Sequence, residues 1–182
     1  VYTGGTTVRI DERSFIAVVT GYTLGIPNPV WYMAVILAIV YLILNRTKLG
    51  RHIYAIGGNE KAAEFSGIDV KNVRLFVYVF SGIMAAVAGI VLAARSYSGQ
   101  PTAGTGAEMD AIEACVLGGC SMAGGYGFIG GTIIGALIIA IMNNGLNLMR
   151  IDSYWQMVAK GVIVLIAVYV DYVKNQKKNQ KG

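Results

Sequence analysis

Charge is what this chain has least of. Of its 182 residues only 14% are charged while 55% are hydrophobic, whereas a soluble domain carries about a quarter charged residues. The apolar residues gather into long runs, so the surplus is not an enlarged soluble core and a membrane-embedded protein follows. A phosphate-binding loop of the Gly-x-x-x-x-Gly-Lys-Ser/Thr kind is absent from the sequence, and the Gly-rich stretches GGNE, GTG and GGCSMAGGYG do not fall between a strand and a helix. Cysteine is scarce too: Cys115 and Cys120 lie in or beside an apolar stretch without a nearby histidine, which supports neither a disulfide nor a metal site. The start VYTGGTTVRI lacks an initiator Met and a signal-peptide pattern, and the expectation is a piece of a longer protein.

The charge that is present has a pattern. Net charge is +5, but the basic residues flank apolar runs and do not interleave with aromatics as on a nucleic-acid surface. Six of them fall in residues 45–74 (Arg46, Lys48, Arg51, Lys61, Lys71, Arg74), four in the tail 173–182, none in 96–110, and only Arg150 in the 150–153 turn. By the positive-inside rule, 45–74 and the C-terminus are expected to be cytoplasmic, and residues 1–28 and 96–110 to face outward.

Between these loops the spans are legible. Residues 1–28 read as a periplasmic or interfacial connection with room for a helical turn at Phe15–Val19. A helix then begins, with Asn28 as its expected N-cap, Pro29 in the first turn and Trp31 and Tyr32 at headgroup level. Leu75–Ala94 holds twenty residues without charge, which spans about 30 Å as a helix, the thickness of the hydrocarbon layer. Within it Ser81, Ala85 and Gly89 form a small-residue stripe that suits close approach by another helix. Residues 111–123 read as a short, tilted or re-entrant helix that crosses or nearly crosses. GGYGFIGG is a turn, Phe128–Met149 a long helix with Gly127, Gly131 and Gly135 as a second small face, and Tyr154–Tyr172 the last helix. The expected class is therefore all-α, a single polytopic transmembrane domain over 1–182 with about five membrane segments and a short cytoplasmic helix.

That short helix lies in GGNEKAAEFSGIDVKNVR, Gly57–Arg74. Asn59 caps it, Glu60–Ser66 form it, Gly67 stops it, and Ala62 and Ala63 offer a low-profile face to a shallow groove. An ordinary capped loop helix is the plainer alternative. Candidate pathway residues are Glu113, Asn143, Asn144, Asn147 and Lys160, polar groups on otherwise apolar helices. Helix-to-helix hydrogen bonding, snorkelling of Lys160, or a Lys160–Glu113 pair are the competing structural roles.

The blocks GRHIYAIGGNEKAAEFSGIDVKNVRLFVYVFSGIMAAVAGIV, QPTAGTGAEMDAIEACVLGGCSMAGGYGFIGGTIIGALIIAIMNNGLNLM and SYWQMVAKGVIVLIAV resemble the permease subunit of bacterial ATP-binding-cassette sugar importers, the ribose, xylose and galactose group. The likeness covers nearly all of Val1–Asp171 and corresponds to the C-terminal half of such a permease. It implies that Asn59, Glu60, Ala62, Ala63 and Gly67 form a coupling helix docking into a separate ATPase. Ala62, Ala63 and Gly67 match the Ala-Ala-x-x-x-Gly spacing, with Lys61 at the family's Glu position and Glu60 one residue early. It further implies a periplasmic sugar-binding protein and a second permease copy as partners, the bacterial inner membrane as location, and neither enzyme activity nor a cofactor in this chain. QPTAGTG is then an outward loop that touches the binding protein. The remaining readings are an ATP-independent channel or ion-coupled transporter, and a membrane scaffold without transport.

Overall fold

A computed structural model describes residues 6–10 and 13–179. It is helical throughout, apart from two short antiparallel ladders: β1 (Val8–Arg9) with β4 (Ser98–Gly99), and β2 (Tyr22–Thr23) with β3 (Ile26–Pro27). The helices are α1 (Arg13–Thr20), α2 (Asn28–Arg46), α3 (Lys48–Gly58), α4 (Glu60–Phe65), α5 (Val70–Arg95), α6 (Ala107–Leu117), α7 (Ile129–Leu148) and α8 (Ser153–Asn179). Two compact units result, Val1–Ile53 with Lys61–Thr105, and Tyr54–Glu60 with Gly106–Gly182. The all-helical polytopic class read from the sequence holds. Among the described residues three helices, α2, α5 and α7, are long and apolar enough to cross a membrane, and α8 adds the apolar stretch Tyr154–Ile166.

In the first unit α1 packs on both α2 and α5. Residues 6–10 and 13–28 hold more than the connection with one turn that was expected. The two-residue loop Leu24–Gly25 joins β2 to β3 with both residues at positive φ, the twist that lets a tight hairpin close. Asn28 does not cap α2, which is preceded by Pro27 and has no side-chain cap bond. Its amide instead donates to the Val18 carbonyl at 2.8 Å while Thr23 Oγ1 donates to its Oδ1 at 2.6 Å. Asn28 thus ties the start of α2 to both α1 and the hairpin. Thr47 turns the corner into α3, donating to the Ile43 carbonyl at 2.6 Å and accepting from the Gly50 amide at 3.2 Å. α5 begins earlier than expected, at Val70, because the Asp69 carboxylate accepts from the Asn72 amide at 3.2 Å. Met84, Val87, Ala88 and Val91 line an apolar groove with Tyr32, Met33 and Ile36 of α2. Ser81, Ala85 and Gly89 lie on another side of α5 and are exposed, and a Cβ added at Gly89 would meet nothing within 4 Å.

In the second unit α6 packs against α7 and α8. α6 spans Ala107–Leu117, not 111–123; its 11 residues reach about 16 Å at 1.5 Å per residue, half the hydrocarbon thickness. The reason is glycine. Gly119 at φ 86° stops the helix, with Cys120 N–H donating to the Cys115 carbonyl at 2.9 Å and Gly119 N–H to Val116 at 2.9 Å, the bond pair of a left-handed helix end. The expected small face of α7 is real at Gly131 and Gly135, where an added Cβ would run into the carbonyl oxygens of Gly118 and Ala114. Gly127 precedes the helix and faces Cys120 Sγ instead. The α8 backbone continues to Asn179, where a solvated tail was expected from residue 173; Asp171 and the side chains beyond it lie outside the described residues.

Buried apolar residues are few and mostly small, Ala63, Ala94 and Ala114 among them, whereas Leu75, Tyr78, Ile141 and Leu165 are exposed. That inversion suits helices whose large side chains meet lipid and whose small ones meet each other. Gly135→Ala is therefore expected to lower stability in detergent by about 1–3 kcal/mol. Gly145→Ala, with nothing near its Cβ position, should be neutral or stabilising by up to about 1 kcal/mol. Thermal midpoints of the two variants check this, and equal midpoints would contradict it.

Candidate functional site

Two polar features stand out on this apolar scaffold. The first is α4. Its end is built by Gly67 at φ 81°, with Ile68 N–H donating to the Ala63 carbonyl at 3.1 Å and Gly67 N–H to Glu64 at 2.9 Å. This repeats the bond pair that ends α6, and no residue with a Cβ adopts that φ as cheaply. Ser66 Oγ adds a bond to the Ala62 carbonyl at 2.8 Å. Asn59 N–H continues α3's ladder to the Ala55 carbonyl at 3.0 Å, so one residue separates the two helices.

The paired alanine face expected from the sequence is split. Ala63 is 4% exposed and faces into this chain, while Ala62, Lys61, Glu60 and Glu64 are exposed. The outward surface is led by a residue the sequence reasoning missed: Phe65, 92% exposed. An exposed aromatic ring is a common anchor for a partner surface. Its sequence signal was a lone Phe among charged residues just before a helix-stopping glycine. On a 3.6-residue period Phe65 projects opposite Ala63, as it must once Ala63 takes the inner side.

The second feature joins α6, α7 and α8. Lys160 pairs with Asp110, Nζ to Oδ1 at 2.5 Å, and not with Glu113 as one expectation had it. Asn143 Nδ2 donates to the other Asp110 oxygen at 3.2 Å. One carboxylate thus gathers a cation from α8 and an amide from α7. Glu113, one turn along α6, is 5% exposed; its Oε2 and Asn143 Oδ1 are buried without a hydrogen-bond partner among the described residues. Asn144 is exposed and outside this group. Asn147, also exposed, accepts from Gln156 Nε2 at 3.0 Å, a bond that closes the α7–α8 turn. Of the five expected pathway residues the structure therefore assembles three, Glu113, Asn143 and Lys160, around an Asp110 that had been assigned to the preceding loop. The missed signal was the acidic first turn of α6, Glu108 and Asp110, which marks a helix start.

Cys115 and Cys120 are free, and Cys120 Sγ lies 3.4 Å from Thr132 Oγ1. Among the described residues there is no group of three or more His, Cys, Asp or Glu able to hold a metal. A lysine on an apolar helix is costly when left without a counter-charge, and Asp110 supplies one. Asp110→Asn, which leaves the cation without its counter-charge, should destabilise by about 1–3 kcal/mol. The double replacement Asp110→Leu with Lys160→Leu should recover most of the loss. Denaturation in detergent checks this; a double variant no more stable than Asp110→Asn would contradict it.

Comparison with known proteins gives the family. Residues 2–168 match the family described as the permease component of the branched-chain amino acid transport system. The ribose import permease of Haemophilus influenzae is 48% identical over 182 residues, 98% of this chain and 56% of that protein. The ribose import permease of Escherichia coli strain K12 is 53% identical over 154 residues, 85% of this chain and 48% of that protein. The xylose transport system permease of H. influenzae is 50% identical over 155 residues, 85% and 41% respectively. The chain spans about half the length of the curated relatives it matches. No solved structure matches it. These relatives are permeases rather than enzymes, and, matched across nearly its whole length, the chain belongs to this transport-permease family.

Proposed function

We propose that this chain is a membrane-spanning part of the permease of an ATP-driven monosaccharide importer in the bacterial inner membrane. The observation that carries the reading is the identity of about half its residues to ribose and xylose permeases. The exposed, glycine-terminated α4 in the most basic loop supports it further. In this reading α4, with Asn59, Glu60, Ala62 and Gly67 around it and Phe65 leading, meets a separate cytoplasmic ATPase, and Ala63 holds the helix to its own chain. ATP closure in that partner pushes α4; a periplasmic binding protein delivers sugar to the outer side; a second permease copy completes the pathway, and the uncovered Ser81–Ala85–Gly89 stripe suits such a neighbour.

Topology follows from the charge count. With residues 45–74 inside, α5 runs outward and 96–110 lies outside. Tyr54 Oη donates to the Gly127 carbonyl at 3.1 Å, so the turn after α6 sits at the same end of its unit as the close of α3. That supports a half-length α6 that brings the chain back to the inner side. α7 then runs outward, α8 returns, and the basic C-terminus is cytoplasmic. Glu113, Asn143 and Lys160 are the pathway candidates in this arrangement, grouped on Asp110.

Phe65→Asp in the full-length permease is the test. It should leave membrane insertion intact, since the ring contributes nothing to the chain's own packing. Loss of an aromatic anchor is worth about 2 kcal/mol or more, so ATPase recovery and sugar uptake should both fall by about 30-fold. Uptake at the wild-type rate would overturn the assignment.

A further inference from the structure

We propose that the end of α3 and the turn between α6 and α7 form a backbone-on-backbone joint, and that Tyr54, Gly57 and Gly125 are positioning residues that carry movement of α4 to the α6–α7 pair. The proposal rests on the coupling reading above and adds to it a route and the residues of that route.

The geometry is unusual. A Cβ on Gly57 would stand 2.6 Å from the Gly125 nitrogen, one on Gly124 2.5 Å from the Gly57 oxygen, and one on Gly125 2.7 Å from the Gly58 Cα. Backbone therefore lies directly on backbone, on both sides of the contact. Gly124 and Gly125 also sit at φ 90° and 73°, so the turn demands glycine twice, for its conformation and for the approach. Tyr54, one helical turn before Gly57, reaches across 73 residues of sequence to the Gly127 carbonyl at 3.1 Å. A tyrosine phenol is a protonated donor at neutral pH, and burial pushes this one further up from its ordinary value. A contact between flexible side chains absorbs displacement by changing rotamers, and a backbone contact pinned by a hydrogen bond does not.

The joint also lies where a push would arrive and where it would be used. Only Asn59 separates Gly58 from α4, and the segment Tyr54–Glu60 groups with the second unit although it is distant from it in sequence. On the other side the turn is fastened to both helices. Cys120 N–H bonds the Cys115 carbonyl in α6, Ser121 N–H bonds the Tyr126 carbonyl at 3.0 Å, and Cys120 Sγ contacts Thr132 of α7. α6 and α7 are in turn locked where Gly118, Gly131 and Gly135 meet. Displacing the turn thus displaces the pair that carries Asp110 and Asn143.

The experiment uses the full-length permease reconstituted with its ATPase and binding protein, reading D-ribose taken up per ATP hydrolysed. Tyr54→Phe and Gly57→Ala should keep the ATPase bound and its turnover within about twofold. Uptake per ATP should fall about two- to tenfold, more in Gly57→Ala than in Tyr54→Phe. A role limited to folding would lower the amount of complex and leave that ratio unchanged. If Gly57→Ala does not accumulate in the membrane, Tyr54→Phe decides, because it removes one oxygen and no packing. An unchanged ratio in the joint variants beside lost ATPase binding in Phe65→Asp would overturn the joint alone. A wild-type permease that brings down no ATPase would overturn the joint and the coupling reading together.

Discussion

A polar group surrounded by hydrocarbon has nothing to bond except the protein itself, and most of this structure follows from that restriction. It makes the spans helical, because only a helix satisfies its own backbone along its length. Where a helix ends, its last carbonyls lose their partners along the helix whatever surrounds them. α4, α6 and α7 each finish with the same pair of bonds, Ile68 to Ala63 and Gly67 to Glu64, Cys120 to Cys115 and Gly119 to Val116, Ile151 to Leu146 and Arg150 to Asn147. In the first two a glycine takes the positive φ; in the third Arg150 does so at 53°. The same restriction accounts for the Asp110 cluster, where a cation and an amide from two neighbouring helices converge on one carboxylate.

Glycine then sets how closely these satisfied elements approach. At Gly118, Gly131 and Gly135 it removes the side chains that would hold α6 off α7, and at Gly57, Gly124 and Gly125 it does the same for the end of α3 and the turn. Dispersion contacts gain energy only at close range, and in lipid no hydrophobic force supplements them. The buried residues are correspondingly small and the large apolar ones face outward.

Much of this was legible in the sequence because the responsible signals are local. The run 128–149 became α7 almost residue for residue, the charge-free run 75–94 lies within the longer α5, and Gly67 stopped α4 where its spacing indicated. What was missed depends on tertiary context. Asn28 has the chemistry of a cap, but α1 and the hairpin offered it better partners. The alanine pair reads as one face, yet successive helical residues differ by about 100°, so Ala63 turned in, Ala62 stayed out, and Phe65 took the outer side. α3 went unseen because it follows α2 across the single residue Thr47, and α6 was placed late because its polar first turn resembles the loop before it.

In the function proposed above, an exposed aromatic on a short inner-side helix is where a soluble motor grips this membrane segment. The most direct measurement is photo-crosslinking from position 65 of the full-length permease, in membranes that also hold its ATPase. A crosslink to the ATPase is expected, made from the cytoplasmic side and lost when the ATPase is absent. Labelling of a Phe65→Cys variant by an impermeant reagent added outside the cell, or crosslinks confined to lipid and to this chain, would contradict it.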